Sequence, residues 1–234
     1  MLHISVKDYV GDELRERIPE AETVLDRDFA EYYSRMAKKY MKIPCKRVLY
    51  KIKAKGIEEG RAIDVGTGPG IFPLSIVKAY PKIRFTCIDL SPAMVSVARE
   101  NAGESGLDGL IDFHVGSAYH LPCPDKSMDL VTCINTLHHL QDPLAFFNEV
   151  GRVLKEGAHF VIVDFHRDTS RIALWFLNLL WKWVVTRNGL GRECFWESVR
   201  SSYTVPECRA FLQQSCIKRW VIYTRSLEMW VESP

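Results

Sequence analysis

Short apolar runs alternate with segments of helical periodicity through the middle of this 234-residue chain. Continuous apolar strands interleaved with helices are typical of a parallel sheet that helices cover on both faces. The pattern therefore predicts a doubly wound α/β fold. The predicted strands are 62–65, 85–89, 111–115, 130–135 and 159–164, and the predicted helices between them are 72–79, 93–101 and 144–154.

The N-terminal quarter follows a helical pattern. Apolar residues recur at helical spacing over 26–55, with an interruption expected at Pro44. Residues 1–22 are charged and are predicted to form a loose arm or a surface helix. The helical segment carries three tyrosines that either pack it onto the sheet or line a binding site. These are Tyr32, Tyr33 and Tyr40.

The C-terminal third opens with a densely apolar segment, 172–185, which is too short to span a membrane as a helix. Three interpretations remain open for it: a buried helix, a lid over an apolar substrate, and a contact with a second copy of the chain or a membrane surface. A polar stretch follows over 186–202, and a helix is predicted over 208–214. Two closing strands are predicted over 217–223 and 227–231.

Three alternating glycines follow the first predicted strand. Residues 61–71 read RAIDVGTGPGI, which places Asp64 near the end of the strand. The glycines of the connection are Gly66, Gly68 and Gly70. Glycine permits a sharp bend and leaves no side chain between the main chain and a ligand. The first turn of the following helix offers free N–H groups to an acidic ligand group, so this stretch is predicted to bind a ligand.

An acidic residue, Asp89, ends the second predicted strand, 19 residues beyond Gly70. An acid in that position is suited to hold ribose hydroxyls. The glycine spacing separates the candidate nucleotides, because a dinucleotide fingerprint reads G-x-G-x-x-G. This chain has G-x-G-x-G, with Ile71 where that fingerprint has its last glycine. The spacing therefore counts against a nicotinamide or flavin nucleotide.

Polar residues recur at or just past the carboxyl ends of the predicted strands. Ligands of open α/β sheets bind at that edge, near the point where the strand order reverses. We therefore expect these residues to contribute to one site. They are Asp64, Asp89, Ser117, Asn135 and Asp164.

These features, in this order, resemble the class I S-adenosylmethionine-dependent methyltransferases. The similar segments are D-x-G-x-G-x-G at 64–70, Asp89, the adenine-binding turn at 115–122, the fourth strand at 129–135, the loop at 137–143, and the helix and turn at 150–157. The resemblance implies a Rossmann-like, mostly parallel seven-stranded sheet whose last strand pair is partly antiparallel. It also implies one domain over 1–234, comprising a helical cap (1–55), a cofactor-binding core (56–168), an apolar and aromatic insertion (169–205) and a C-terminal helix and strands (206–234).

The resemblance also implies the cofactor, S-adenosylmethionine, and its contacts. Asp64 and the glycine turn are expected to position the methionine end, and Asp89 the ribose. Ser117 and Ala118 are expected to meet the adenine, although the family usually has Asp where this chain has Ser117. The full set of expected cofactor-binding residues is Tyr33, Asp64, Gly66, Thr67, Gly68, Gly70, Asp89, Leu90, Met94, Ser117, Ala118, Asn135 and Thr136.

A base that removes a proton from the methyl acceptor has to lie within reach of it, and a histidine near neutral pKa suits that task. The candidates follow the fourth and fifth strands: His138, His139, Asp164 and His166. The pair His138-His139 also occurs in the family as a structural element of the loop, so both roles remain open.

The charge and cysteine content of the chain limit the kinds of partner that it is expected to bind. A net charge of +2 gives no case for bulk nucleic-acid binding. Seven cysteines without a C-x-x-C pair indicate neither a disulfide framework nor a metal site. The N-terminal residues lack the layout of a signal peptide, which predicts a cytoplasmic location.

The sequence thus predicts a methyltransferase that acts by in-line transfer on a small, partly apolar acceptor enclosed by residues 26–55 and 165–205. One alternative is a non-catalytic S-adenosylmethionine-binding or assembly protein with the same pocket. A nicotinamide-dependent oxidoreductase is a second alternative, which the glycine spacing disfavours. A homodimer through 172–185 is expected if that segment contacts a second copy of the chain.

Overall fold

The computed structural model of this chain describes residues 17–19, 26–169 and 190–234, with side chains from residue 195 onward in the last range. The apolar segment 172–185, with its predicted roles as lid or dimer contact, lies outside the described residues. The helices are α1 (Arg27–Tyr40), α2 (Lys42–Ala54), α3 (Ile71–Ala79), α4 (Pro92–Ser105), α5 (Pro143–Val153), α6 (Leu190–Ser201) and α7 (Val205–Gln214). The strands are β1 (Glu59–Val65), β2 (Lys82–Asp89), β3 (Ile111–Val115), β4 (Met128–Ile134), β5 (Leu154–Phe165), β6 (Val221–Arg225) and β7 (Glu228–Glu232).

The strands form one seven-stranded sheet in the order β3-β2-β1-β4-β5-β7-β6. The first five strands pair in parallel, while β7 is antiparallel to both β5 and β6. The predicted fold class is therefore confirmed, including the antiparallel closing pair. The strand order reverses between β1 and β4, so the carboxyl ends of these two strands flank the crevice where open α/β sheets bind ligands.

Alternating residues of the strands bury their side chains on opposite faces of the sheet. On one face, Phe146 of α5 and Leu212 of α7 pack against strand residues such as Ile63. On the other face, α2, α3 and α4 pack against residues such as Ala62 and Phe85. Both faces of the parallel strands are therefore covered by helices.

Several predicted boundaries were wrong. The helical break falls at Met41, and Pro44 lies in the first turn of α2, where a missing N–H costs no hydrogen bond. Residues 190–201, predicted as part of a polar stretch, form α6. The first closing strand begins at Val221 rather than at residue 217, because Val221 pairs with Glu232, the last residue of β7, and the strand partner ends there.

Candidate active site

The glycine turn connects β1 to α3 beside the end of β2. Both Gly66 and Thr67 donate their N–H to the Ile88 carbonyl at 2.9 Å, which fixes the turn against the neighbouring strand. Gly66 has φ of +69°, and a Cβ there would lie 2.1 Å from Thr136 Cγ2. A side chain at this position would therefore both strain the backbone and collide with the loop after β4.

The surface above Gly68 is open. This glycine has φ of +52°, and the nearest atom to a Cβ placed on it would be Cε1 of Tyr33 at 3.9 Å. Tyr33 is half-buried on α1, so the aromatic ring borders the turn without filling the space over it. The predicted neighbourhood of Tyr33 and the glycine turn is therefore present.

Asp89 lies at the end of β2 and is tied to the glycine turn. Its Oδ2 accepts the N–H of Gly68 at 2.8 Å, and its Oδ1 accepts the N–H of Ser91 at 2.9 Å. Burial raises the pKa of this carboxyl, against the two backbone hydrogen bonds that lower it. The turn and the acid thus form one preorganised unit on the carboxyl edge of the sheet.

Asp64 is almost completely buried, with 2% of its surface exposed. Its Oδ1 accepts the hydroxyl of Thr132 on β4 at 2.6 Å. Burial raises the pKa of Asp64 to about 6, although hydrogen bonding opposes the rise. The Thr67 hydroxyl lies near Asp64 and also lowers the pKa of that carboxyl. Among the described residues, the buried Thr67 oxygen nevertheless has no hydrogen bond of normal geometry. A buried acid at the end of β1 and a hydroxyl of the turn itself, with unused hydrogen-bonding capacity, therefore lie next to each other.

Two apolar side chains are exposed at the same edge. Leu90 follows β2 and is 43% exposed, and Val115 ends β3 and is 54% exposed. Val115 is paired in register with Asp89, so the two apolar groups flank the acid. Val115 opens the predicted adenine-binding turn, but it was not among the expected cofactor-binding residues, because a valine at the end of a strand is not distinguishable by sequence from a core residue.

The turn after β3 carries Ser117 and Ala118, both half-buried. The Ser117 Oγ accepts the N–H of Tyr119 at 3.2 Å, and its carbonyl accepts the N–H of His120 at 3.2 Å. The serine hydroxyl therefore stabilises this turn in the position where the family usually has an aspartate.

The end of β4 supports the glycine turn from the other side. Asn135 has φ of +54°, an uncommon conformation for a residue other than glycine, and donates its N–H to the Val163 carbonyl at 2.8 Å. The Thr136 hydroxyl donates to the Gly66 carbonyl at 3.0 Å. The predicted residues Asn135 and Thr136 thus lie beside the glycine turn.

The N-terminal helices are joined to the turn through Asn101, which sequence reasoning placed only at the end of a helix. Its buried Nδ2 donates to Ser34 Oγ on α1 at 3.0 Å and to the Pro69 carbonyl at 2.8 Å. Met94, expected to flank the adenine, is only 5% exposed and packs with Ala30 of α1. The main environment of Met94 is therefore this helix-to-helix contact.

His138 and Asp164 form a buried pair. Nδ1 of His138 lies 2.7 Å from Asp164 Oδ1, and the His138 N–H donates to Asp164 Oδ2 at 2.9 Å. The two residues are 2% and 1% exposed. The carboxylate also accepts the N–H of Phe165 at 2.7 Å. This pair therefore fixes the short 3-10 turn Leu137–His139 to the end of β5.

His139 is less enclosed. Its ring centroid lies 4.1 Å from that of His138, and the residue is half-buried. Burial and the neighbouring His138 lower the pKa of His139 to about 3, so its imidazole is neutral at pH 7. The fourth candidate, His166, is buried with its Nε2 3.2 Å from the Ser226 carbonyl.

Arg17 was not predicted as a site residue. Its Nη2 donates to the carbonyls of His138 at 2.9 Å and Leu140 at 3.1 Å, and its Nε donates to the Ser201 carbonyl at 2.6 Å. Its guanidinium lies 4.1 Å from the ring centroid of Tyr203. The arginine thereby links the N-terminal residues 17–19 to α6 and to the histidine turn.

These residues fit a nucleoside with a charged tail. The site offers open space over Gly68, the unused buried oxygen of Thr67, and a carboxylate between two exposed apolar side chains. Within the described ranges, no group of three or more His, Cys, Asp or Glu side chains could hold a metal ion. In the same part of the chain, no helix has the length and apolar character to cross a membrane.

Comparison with known proteins agrees with this geometry. Residues 63–162 match a family described as methyltransferase domain. The chain is 39% identical over 109 residues to ajmaline N-methyltransferase of Rauvolfia serpentina, which covers 46% of this chain and 37% of that protein. It is 34% identical over 147 residues to malonyl-[acyl-carrier protein] O-methyltransferase of Geobacter sulfurreducens, which covers 62% and 52%.

The fold also has solved counterparts. A SAM-dependent methyltransferase from Aquifex aeolicus aligns with a TM-score of 0.65 at 21% identity, over 89% of this chain and 98% of that chain. The chain spans about half, or less, of the length of the two curated relatives above. The matched residues 63–162 nevertheless include the glycine turn, Asp64, Asp89 and the 3-10 turn Leu137–His139. Residues 63–162 therefore form a methyltransferase domain of the class I S-adenosylmethionine-dependent type, and the cofactor of that type is S-adenosylmethionine.

Proposed function

We propose that this protein transfers a methyl group from S-adenosylmethionine to a small, partly apolar acceptor. The observation that carries the proposal is the unit formed by the glycine turn and Asp89, in which the carboxylate is held by the Gly68 N–H. The remaining oxygen lone pairs of Asp89 suit ribose hydroxyls, since an ionised carboxylate accepts several hydrogen bonds. When bound, S-adenosylmethionine supplies an activated methyl group on a sulfonium.

The expected binding mode follows the order of the strand ends. Leu90 and Val115 offer apolar surface to the adenine on either side of Asp89. Asp64 lies below the turn on β1 and favours a cationic group, which suits the ammonium of the methionine end. Asn135 and Thr136 border the turn on the β4 side, where we expect the reacting end of the cofactor.

The protein's chemical task is then to position the acceptor and, where needed, to take its proton. Orientation alone supplies up to roughly 7–11 kcal/mol of barrier reduction in favourable cases. Among the base candidates, His139 is favoured by its position, because it is less buried than its neighbour. Its pKa of about 3 makes the imidazole a weak proton acceptor in the ligand-free protein, so the assignment rests on access to the acceptor and not on basicity. His138 and Asp164 are favoured as positioning residues, because their contacts are with each other and with the turn.

The acceptor class is inferred from the surroundings of the site and from relatives. The relatives named above are, by their names, an N-methyltransferase for ajmaline and an O-methyltransferase for malonyl-[acyl-carrier protein], so the domain serves more than one acceptor type. In this chain, α1 borders the glycine turn through Tyr33, and residues 166–169 follow β5 shortly after Asp164. We expect these two segments to enclose the acceptor.

A transfer assay tests the proposal. The purified chain is incubated with methyl-labelled S-adenosylmethionine and the small-molecule fraction of a cell extract, with heat-treated protein and Asp89→Ala as controls. Label should appear in an extractable small molecule only with the active protein, and His139→Ala should lower the rate more than the affinity for S-adenosylhomocysteine.

Two other outcomes of this assay would count against the proposal. Binding of S-adenosylhomocysteine without transfer to any acceptor would favour a non-catalytic binding protein. Label that enters only macromolecules would refute the small-molecule acceptor while leaving the cofactor assignment intact.

A further inference from the structure

Basic residues are concentrated in the stretch that precedes β1. Residues 32–57 contain nine Lys or Arg and no Asp or Glu. The whole chain has a net charge of only +2, so the remainder of the chain is net acidic. A charge separation of this kind marks a surface that is attracted to an anionic partner.

Helix α2 presents this charge together with exposed apolar groups. Cys45, Val48 and Ile52 are at most 6% exposed and face the core. On the opposite side, Ile43 is 64% exposed and Tyr50 is 71% exposed. These two residues are seven positions apart, which places them on one side of the helix two turns from each other.

The exposed apolar pair is flanked by lysines. Lys42, Lys46 and Lys53 are exposed on α2, and among the described residues none of them forms an ion pair. Two other cations of the helix are neutralised within the fold, since Arg47 pairs with Glu228 at 3.0 Å and Lys51 with Glu232 at 2.8 Å. The three lysines therefore keep their charge available for a partner.

The same face continues onto the closing strands. A cavity of about 400 Å³ separates α2 from the β6–β7 pair. Its lining includes Ile43, Lys46, Tyr50, Tyr223, Arg225 and Trp230. Arg225 is exposed at the end of β6, which is an edge strand of the sheet, and adds a further cation to this face. We name Ile43, Lys46, Tyr50, Lys53 and Arg225 the α2 face.

We propose that the α2 face docks on an anionic lipid surface. Exposed aliphatic and aromatic side chains with lysines beside them are the arrangement by which helices lie in the headgroup region of a bilayer. The apolar side chains enter the boundary of the acyl chains, while the lysines meet the negative headgroups. Ile43 argues for lipid over nucleic acid, because an aliphatic side chain offers no flat face for stacking on a base.

Flotation of the full chain with lipid vesicles tests this proposal. The chain should float with vesicles that contain 30% phosphatidylserine and not with pure phosphatidylcholine vesicles, and binding should weaken with rising salt. Each lysine near such a surface contributes roughly fivefold to binding. Lys46→Glu with Lys53→Glu should therefore lower vesicle binding at least about tenfold, and Ile43→Ser with Tyr50→Ser should also weaken it.

A matched control is Lys218→Glu with Arg219→Glu, two exposed cations beside Ile217, which packs in the core on the other face of the sheet. This pair should bind anionic vesicles as the unchanged chain does. Affinity for S-adenosylhomocysteine, measured on every variant, verifies folding and separates this proposal from the proposed function. Absence of binding to anionic vesicles, or equal loss in the control pair, would overturn it. Tight binding of a short RNA or DNA that depends on the α2 face, without vesicle binding, would assign the face to nucleic acid instead.

Discussion

Replacing Asp64 by Asn should make the ligand-free protein more stable at neutral pH. The pKa of this carboxyl is raised from 3.8 to about 6 by burial, so the folded state binds its proton more tightly than the unfolded state does. Protonated Asp64 therefore contributes its full stabilisation of the folded state below about pH 4, where the unfolded chain is protonated as well. This stabilisation is lost as the pH rises through about 6, the pKa in the folded state. Above that pH, the buried charge costs about 3 kcal/mol.

Asparagine removes this cost and retains an oxygen that can accept the hydroxyl of Thr132. Asparagine also introduces a buried amide NH2 group, and the absence of hydrogen-bond acceptors for this group costs about 1–2 kcal/mol. The expected net gain is about 1–2 kcal/mol at pH 7.5, which corresponds to a rise in Tm of about 2–8 °C for a chain of this size. Over pH 4–6, the variant should lose less stability than the unchanged chain.

Thermal unfolding of the ligand-free proteins, followed by circular dichroism from pH 4 to 8, measures both effects. Asp112→Asn, which changes an exposed carboxyl on β3, is the matched control and should alter neither Tm nor its pH dependence. S-adenosylhomocysteine binding by Asp64→Asn should weaken about 10-fold to 100-fold, because a cationic ligand group loses its carboxylate. The reasoning fails if Asp64→Asn is less stable than the unchanged chain at pH 7.5 and follows the same pH profile.

Two further substitutions test contacts outside the sequence motifs. Asn101→Ala removes the link between the Pro69 carbonyl and Ser34, so it should cost about 1–3 kcal/mol of stability and weaken S-adenosylhomocysteine binding in calorimetry. Arg27→Ala breaks an exposed ion pair between the same two helices and should leave that affinity unchanged, whereas an equal effect of both variants would contradict a role for Asn101 at the turn. Arg17→Ala should cost about 2–4 kcal/mol in chemical denaturation, because one guanidinium satisfies three carbonyls. Arg17→Lys should recover less than half of the loss, since an ammonium lacks the planar fork, and full recovery would show that charge alone is sufficient.

The sequence was sufficient to predict those parts of the site that depend on the spacing of residues close together in the chain. The alternating glycines specify a turn between a strand and a helix, and Asp89 follows at the end of the next strand. Such features are local, because each is fixed by residues a few positions apart. The α/β pattern likewise predicted the sheet, because continuous apolar runs require burial on both faces.

Contacts between distant residues could not be predicted in this way. Arg17 contacts Ser201, 184 positions away, and an arginine in a charged N-terminal stretch carries no signal of that contact. Asn101 joins α1 to the glycine turn, yet by its sequence position it is only the polar end of a helix. Helix α6 was missed because its segment was interpreted by its charged residues, although the buried Trp196 and Val199 lie one turn apart on its apolar side.

Calorimetric titration of the ligand-free chain with S-adenosylhomocysteine tests the central assignment most directly. We expect one site, no heat from NAD under the same conditions, and an affinity that falls about 30-fold to 1000-fold in Asp89→Ala, because the ribose loses two hydrogen bonds to a charged acceptor. Binding of NAD without binding of S-adenosylhomocysteine would contradict the cofactor assignment, and an unchanged affinity in a folded Asp89→Ala variant would contradict the role of this acid.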